Sequence, residues 1–164
     1  MAERASEQSG GRSGARKRLY FAAPLFSDAE RAFNAALTER IEALGYDVFL
    51  PQRDGFEKQG AVHDGMPVDE VARQIFAKDS SEVFRSDVLL FVLDGRVPDE
   101  GAAVELGLAY ADREWRGVQR HIIGLMTDWR SAFPHEPLNA MIFGALDELH
   151  HSVDAVLERL AALA

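Results

Sequence analysis

The sequence predicts a three-layer α/β fold, a parallel five-stranded sheet with helices on both faces. Three observations carry this expectation. Short apolar runs, of which the stretch from Val88 to Leu93 is the clearest, read as buried strands. Segments of helical period separate them, and strands alternating with helices build a parallel sheet. The length of 164 residues suits a single domain with a real core, and no internal repeat or second domain is visible.

Residues 1–17 read as a disordered basic tail rich in Gly, Ser and Arg, ahead of one folded domain over 18–164. A first strand covers 19–23 and stops at Pro24. Ser27 and Glu30 have the spacing of a capping box, so a helix starts there. Its apolar positions, among them Phe33, Leu37, Ile41 and Leu44, keep helical spacing, and Gly45 supplies the stop. The second strand is 46–50. Residues 51–65 then form a long polar loop, and loops of that length inside compact domains are often functional. Pro67 suits the first turn of the next helix, which runs to about Phe84. Strand three is 88–93, followed by a helix from the small residues at 101–103 to about Arg113. Strand four is 119–126, residues 127–137 are irregular with Trp129 and Phe133, and 138–143 make one helical turn. A short edge strand covers 145–149. Ser152 caps a last helix whose Val153, Val156, Leu157, Leu160 and Leu163 form an apolar stripe.

Composition narrows the possible functions. Hydrophobic content of 47% beside 27% charged residues is that of a soluble globular chain. With no cysteine, disulfides, thiolate metal sites and a Cys nucleophile are excluded. No apolar run approaches the roughly 20 residues of a membrane span, and no apolar secretory leader is visible, so the expected location is cytoplasmic. The net charge of −9 is uneven: residues 1–18 hold five basic and two acidic side chains, the rest thirteen and twenty-five. An acidic body argues against a nucleic-acid polymer as partner.

Two carboxylates stand out. Glu105 follows a strand end and sits beside small residues in the first turns of a helix, where open α/β sheets place their chemistry. It leans toward the apolar side, between Ala102 and Leu108; the plain alternative is a solvated helix residue. Gly107 in the same helix costs about 1 kcal/mol relative to Ala, which points to close packing against the sheet or a ligand. Asp79 falls on the apolar stripe of Val68, Val71, Ala72, Ile75, Phe76 and Val83. A carboxylate there is costly to bury unless paired, and burial raises its pKa.

Asp99 reads as an N-cap, Asp94 as stabilising a turn and Asp87 as structural. The histidines lack metal-ligand spacing: His150 and His151 read as a surface pair, His63 and His135 as loop residues. There is no P-loop or complete dinucleotide fingerprint, and Ser80 and Ser81 lack a His partner at any recognised spacing.

Taken together, four segments carry a resemblance to a family. They are 19–26, with Tyr20 and Phe26; Asp79 eight residues before Asp87; 98–107, with Asp99 and Glu105; and 137–141, with Asn139 and Met141. Over essentially all of 19–160 the chain resembles the nucleoside 2-deoxyribosyltransferases, which move a 2-deoxyribosyl group between nucleobases on a flavodoxin-like sheet. The resemblance implies that Glu105 is the nucleophile and that Tyr20 orients it. It implies that Asp79 and Asp99 face the base and serve proton transfer, and that Phe26 binds substrate. Asn139 and Met141 would complete a neighbouring subunit's site, so a homo-oligomer is expected. The partners implied are a deoxynucleoside and a free nucleobase, with no metal or redox cofactor.

The residue types fit that chemistry. One carboxylate stabilises positive charge on the sugar and bonds C1′, while a second, protonated, assists the leaving base. A related branch of N-glycoside hydrolases, acting on deoxynucleoside monophosphates, is similar around Tyr20, Asp79 and Glu105 but typically has Ser at the positions of Asp99 and Asn139. Those departures favour a nucleoside. A non-catalytic nucleotide-binding module on the same scaffold has no need of the Tyr20, Asp79, Glu105 set. Base choice is expected to fall to the 51–65 loop, with Gln52 and Asp54 as candidates.

Overall fold

In the computed structural model, residues 16–56, 64–128 and 138–164 are described. Five parallel strands, β1 (Arg18–Ala22), β2 (Asp47–Phe49), β3 (Val88–Val92), β4 (His121–Leu125) and β5 (Glu148–His150), lie in the order β2-β1-β3-β4-β5. The helices among the described residues are α1 (Asp28–Ala43), α2 (Pro51–Asp54), α3 (Val68–Arg85), α4 (Glu100–Arg116), α5 (Ala140–Ala145) and α6 (Val153–Leu163). This is the expected flavodoxin-like, three-layer α/β arrangement.

Two cores follow from the two-residue period of the strands. Leu19, Phe21, Val88, Leu90 and Val92 face α1 and α6, with Ile41, Val156 and Leu160 across from them. Tyr20, Ala22, Leu89 and Phe91 face α3 and α4, with Val83, Ala102, Leu106 and Ala109. The chain goes from β1 outward to β2, then crosses back over β1 to β3. The strand order therefore reverses between β1 and β3, and the crevice at the carboxyl ends of those strands is where such sheets hold ligands.

Several expected boundaries move, each for a local reason. The first four residues of the predicted 51–65 loop are helical. Pro51 fixes the first φ, the Asp54 carboxylate accepts from the Leu50 N–H at 2.9 Å, and Arg53 bonds the Val48 carbonyl. The rest of that loop is outside the described residues over 57–63, as are residues 1–15 of the tail and 129–137, with Trp129, Phe133 and the loop histidines. Helix α4 runs one turn beyond Arg113, to Gly117, whose φ of +68° ends it in the left-handed conformation. Strand β4 is shorter than 119–126 because Arg120 turns inward, bonding the carbonyls of Phe84, Ser86 and Ala109 and the Asp112 carboxylate. The edge strand is 148–150 rather than 145–149. Ala145 ends α5, and Asp147 meets Ile122 through its own N–H to the Ile122 carbonyl and its side chain to the Ile122 N–H, a side-chain bond in place of a ladder one.

Candidate active site

Tyr20 is fully buried on β1, between β2 and β3, and strand alternation points it at α3 and α4. Its ring stacks on Phe49 at the end of β2, with centroids 5.4 Å apart and 23° between planes. Its hydroxyl donates to Glu105 Oε1 at 2.7 Å. Glu105 reaches that position because of how α4 begins. Gly95 turns the chain at φ +122° just after β3, and the Asp99 carboxylate caps the helix by accepting from the Ala102 N–H at 2.8 Å. The buried row of the helix is Ala102, Leu106 and Ala109. Glu105 stands on the flank of that row nearest α3.

Asp79 comes from α3. The apolar stripe expected there is narrower than its sequence implied, since Val68 and Phe76 are exposed. The buried row is Val71, Ile75 in part, then Glu82 and Val83; Asp79, four after Ile75 and four before Val83, stays on it. Its Oδ1 is buried and has no hydrogen-bond partner among the described residues. An unsatisfied carboxylate oxygen in a native interior calls for an explanation, and a bound ligand is one.

The electrostatics separate this group from the other acids. Burial pushes Glu105 up to about 7; Tyr20's hydrogen bond opposes that, and the charges of Asp79 and Asp99 add to it. Burial also pushes Asp79 up to about 6, with Lys78 opposing and Glu82 adding. The Tyr20 hydroxyl is held far above its ordinary range by burial and by Glu105, Asp79 and Glu82, so it acts only as a donor. Three acids crowded beside one buried tyrosine suit a site where positive charge develops on a substrate.

The other residues singled out in the sequence are placed unevenly. Asp99 acts on Glu105 through its charge while one oxygen caps α4. Phe26 is 75% exposed on the β1–α1 connection, its N–H bonded to Glu30 Oε2. Asn139 caps α5, accepting from the Met141 N–H at 2.8 Å, and Met141 is 82% exposed. Both line a groove of about 920 Å³ with Val97, Gly107, Tyr110 and Ile142, on the flank of α4 opposite Glu105. The structure therefore does not bring Asn139 and Met141 to the Glu105 of their own chain. Gly107 is open on that groove side, with nothing within 4 Å of a Cβ added there, so the expected close packing against the sheet is absent.

Gln52 and Asp54 serve structure. Gln52 accepts from Asn34 and donates to the Arg31 carbonyl, while Asp54 holds Leu50 and Arg53. Asp94 accepts from the Thr127 N–H and hydroxyl and the Asp128 N–H, tying the exit of β3 to that of β4. Asp87 accepts from the Arg18 N–H, and His150 pairs with Glu148. Sequence reasoning missed Phe49 and Lys78. Phe49 supports Tyr20, and the Lys78 ammonium lies 5.3 Å from the Phe49 centroid. Adjacent strands β1 and β2 hinted at the first, but pairing register is not readable from one strand. Among the described residues, no three His, Asp or Glu side chains are grouped to hold a metal ion, and no helix is long and apolar enough to cross a membrane.

Comparison with known proteins bears on the fold and the family. A conserved protein from Enterococcus faecalis V583 is similar in structure, with a TM-score of 0.74 and 29% identity over 92% of this chain and 100% of that one. A 2-deoxyribosyltransferase from Bacillus psychrosaccharolyticus gives 0.67 at 21% identity, covering 85% and 90%. A CMP N-glycosidase from Clostridium botulinum gives 0.56 at 18%, covering 90% and 100%. At such identities the last two show a shared fold. Among curated protein sequences none matches. The profile of the nucleoside 2-deoxyribosyltransferases matches residues 19–148, a span that holds β1 through the start of β5 and all of Tyr20, Asp79, Asp99 and Glu105, and the chain belongs to that family.

Proposed function

We propose that this protein transfers a 2-deoxyribosyl group from one nucleobase to another, through a covalent deoxyribosyl intermediate on Glu105 and with net retention at C1′. The observation that carries the reading is the Tyr20–Glu105 hydrogen bond beside Asp79, whose buried Oδ1 has no partner among the described residues. Tyr20 occupies Oε1 of Glu105 and leaves Oε2 for the sugar. As the bond from C1′ to the base nitrogen breaks, its electron pair leaves with the base, which takes a proton from Asp79. Glu105 Oε2 then bonds C1′. In the second half a free base attacks C1′, the ester opens to return the Glu105 carboxylate, and the incoming base's proton goes to Asp79. Burial of Asp79 supports the acid role because it keeps the carboxyl protonated closer to neutral pH.

Chromatography of a deoxynucleoside, with and without a second free base, tests this. A new deoxynucleoside is expected. Free base alone would instead make the chain an N-glycoside hydrolase, and no change with any base would remove the enzymatic reading. A rapid-quench mass spectrum without acceptor should show the sugar adduct on Glu105; its persistent absence would favour direct displacement.

The site is proposed to be shared in a homo-oligomer, with Asn139 and Met141 of one protomer completing the site of its neighbour. Their position supports this: they face outward across the groove, beside exposed Val97 and Phe143, not toward their own Glu105. Further exposed apolar side chains lie on α3, Phe76 and Phe84, and on α4, Val104 and Trp115. Apolar surface of this kind marks association. Light scattering should give a mass at least twice 18.2 kDa, and a monomer at working concentration would sink the shared site.

A further inference from the structure

The hydrogen bond from Tyr20 to Glu105 needs more than a tyrosine of the right reach. Conjugation holds a phenolic O–H in the plane of its ring, so the ring plane decides where the hydrogen points. A hydrogen bond weakens steeply once its donor and acceptor fall out of line. The torsion that sets the ring plane, χ2, is broad in tyrosine. A neighbour must therefore fix it.

Phe49 is placed to do so. It is the register partner on β2 of Tyr20 on β1, and residues paired across neighbouring strands project from the same face of the sheet. The two rings stack with centroids 5.4 Å apart and 23° between planes, while the Tyr20 hydroxyl lies 2.7 Å from Glu105 Oε1. Phe49 is itself held. It is buried at the last position of β2, and the chain is pinned on both sides of it. The Leu50 N–H donates to Asp54 at 2.9 Å, and Arg53 donates to the Val48 carbonyl at 2.8 Å. The Lys78 ammonium stands 5.3 Å from the Phe49 ring centroid. A bland role is open to such a ring, that of filling the core beside Val83 of α3. A leucine would serve that purpose, but it lacks a flat face to set against the Tyr20 ring.

We propose that Phe49 is a positioning residue for the transfer: by stacking on Tyr20 it sets the plane of the tyrosine ring, and so aims the phenolic hydrogen at Glu105 Oε1 and leaves Oε2 directed at the sugar. This rests on the reading of Glu105 as the nucleophile. The end of an edge strand that touches no substrate thus acts on the reacting carboxylate through one intervening side chain.

A double-mutant cycle with Tyr20 in the full-length protein tests this. Phe49→Leu and Phe49→Met remove the ring and keep an apolar side chain, with circular dichroism counting the folded molecules. Either should lower kcat for sugar transfer by roughly three- to tenfold and leave KM within about twofold. Phe49→Tyr keeps the ring and should stay within about twofold of wild type. In a Tyr20→Phe background the losses should shrink to less than about twofold, because the bond they act through is gone. Carbon-13 NMR of the glutamate carboxyls, with Glu105 assigned by its missing signal in Glu105→Gln, gives a readout independent of turnover. The Glu105 midpoint should rise by roughly 0.5 pH unit in Phe49→Leu, as part of the bond that favours the ionised form is lost. It should not move further when Tyr20→Phe is already present. The groups that act on Glu105, which are Tyr20, Asp79 and Asp99, are retained in Phe49→Leu. Rate losses of equal size in both backgrounds would reveal a ring that only packs, and they overturn the proposal. A midpoint shift that persists without the Tyr20 hydroxyl also overturns it, since that is the field of a displaced Lys78. A Tyr20-dependent shift in a protein that moves no deoxyribosyl group would uphold the aiming of the bond and remove the transfer reading.

Discussion

Glu105 and Asp112 stand two turns apart on the same flank of α4, and their surroundings are opposite. Asp112 is 5% exposed and meets the Arg120 guanidinium at 2.9 Å, while Arg120 spends its other donors on three carbonyls. Among the described residues Glu105 meets no cation; it has one hydroxyl donor and the repulsion of Asp79 and Asp99. The same residue class on the same helix thus ties elements together at the amino ends of the strands and is left underpaired at their carboxyl ends. Pairing separates the two. A charge whose partner is built in has nothing left to offer a substrate, whereas an underpaired one gains from any positive charge that develops beside it.

Substitutions along this helix should break or sharpen that contrast. The largest expected effect is that of Glu105→Ala, a fall in transfer rate of roughly a thousandfold or more with the circular dichroism spectrum unchanged. An unchanged rate would end the nucleophile assignment. Arg120→Met should do the reverse, costing about 3–5 kcal/mol of stability by leaving buried Asp112 to the exposed Arg116 and three carbonyls without their donor, while folded molecules keep their turnover. Denaturant melts and activity per folded molecule separate the two outcomes, and a stable but inactive variant would contradict the division of labour.

Smaller effects probe the protonation states. Tyr20→Phe should lower kcat/KM by roughly ten- to a hundredfold, and it should move the centre of the pH profile upward because the bond that favours ionised Glu105 is gone. In the wild type, Glu105 must be ionised, which is met above about pH 7, and Asp79 protonated, which is met below about pH 6. The profile should be a narrow bell centred between those values, with macroscopic midpoints that belong to the pair. A flat profile from pH 5 to 8 would contradict the assignment of roles.

The smallest effect concerns stability. The folded pKa of Glu105 lies above its unfolded value, so ionised Glu105 destabilises the fold above pH 7, and that penalty fades as pH falls toward 4.5. Glu105→Gln should therefore be more stable than wild type at pH 8, by on the order of 2 kcal/mol, with the gain vanishing near pH 4. Thermal melts at the two pH values check the sign.

Much of this site was legible in the sequence because its parts are local. Asp79 sits on a helical row whose other members are apolar, and that conflict survives even though Val68 and Phe76 proved exposed. Glu105 follows a strand end by a fixed number of residues, with Asp99 at capping distance from Ala102. What failed to show was everything set by a partner distant in sequence. Phe49 against Tyr20 depends on the register of β1 with β2, and the inward turn of Arg120 depends on carbonyls from two helices. Gln52 and Asp54 looked free to meet a base, yet α1 and the end of β2 claim them. Gly107 read as a close contact, because a glycine's lack of a side chain is equally compatible with a crowded face and an open groove.

The sequence by itself determined the order of elements, the parallel sheet and the candidate acids, since these follow from periodicities and caps within a few turns of chain. Only the tertiary structure decided which acids are paired and which are left underpaired. That choice is made by groups from β1, α3 and α4 meeting at one end of the sheet, where the low polarity of the interior turns a missing partner into a raised pKa.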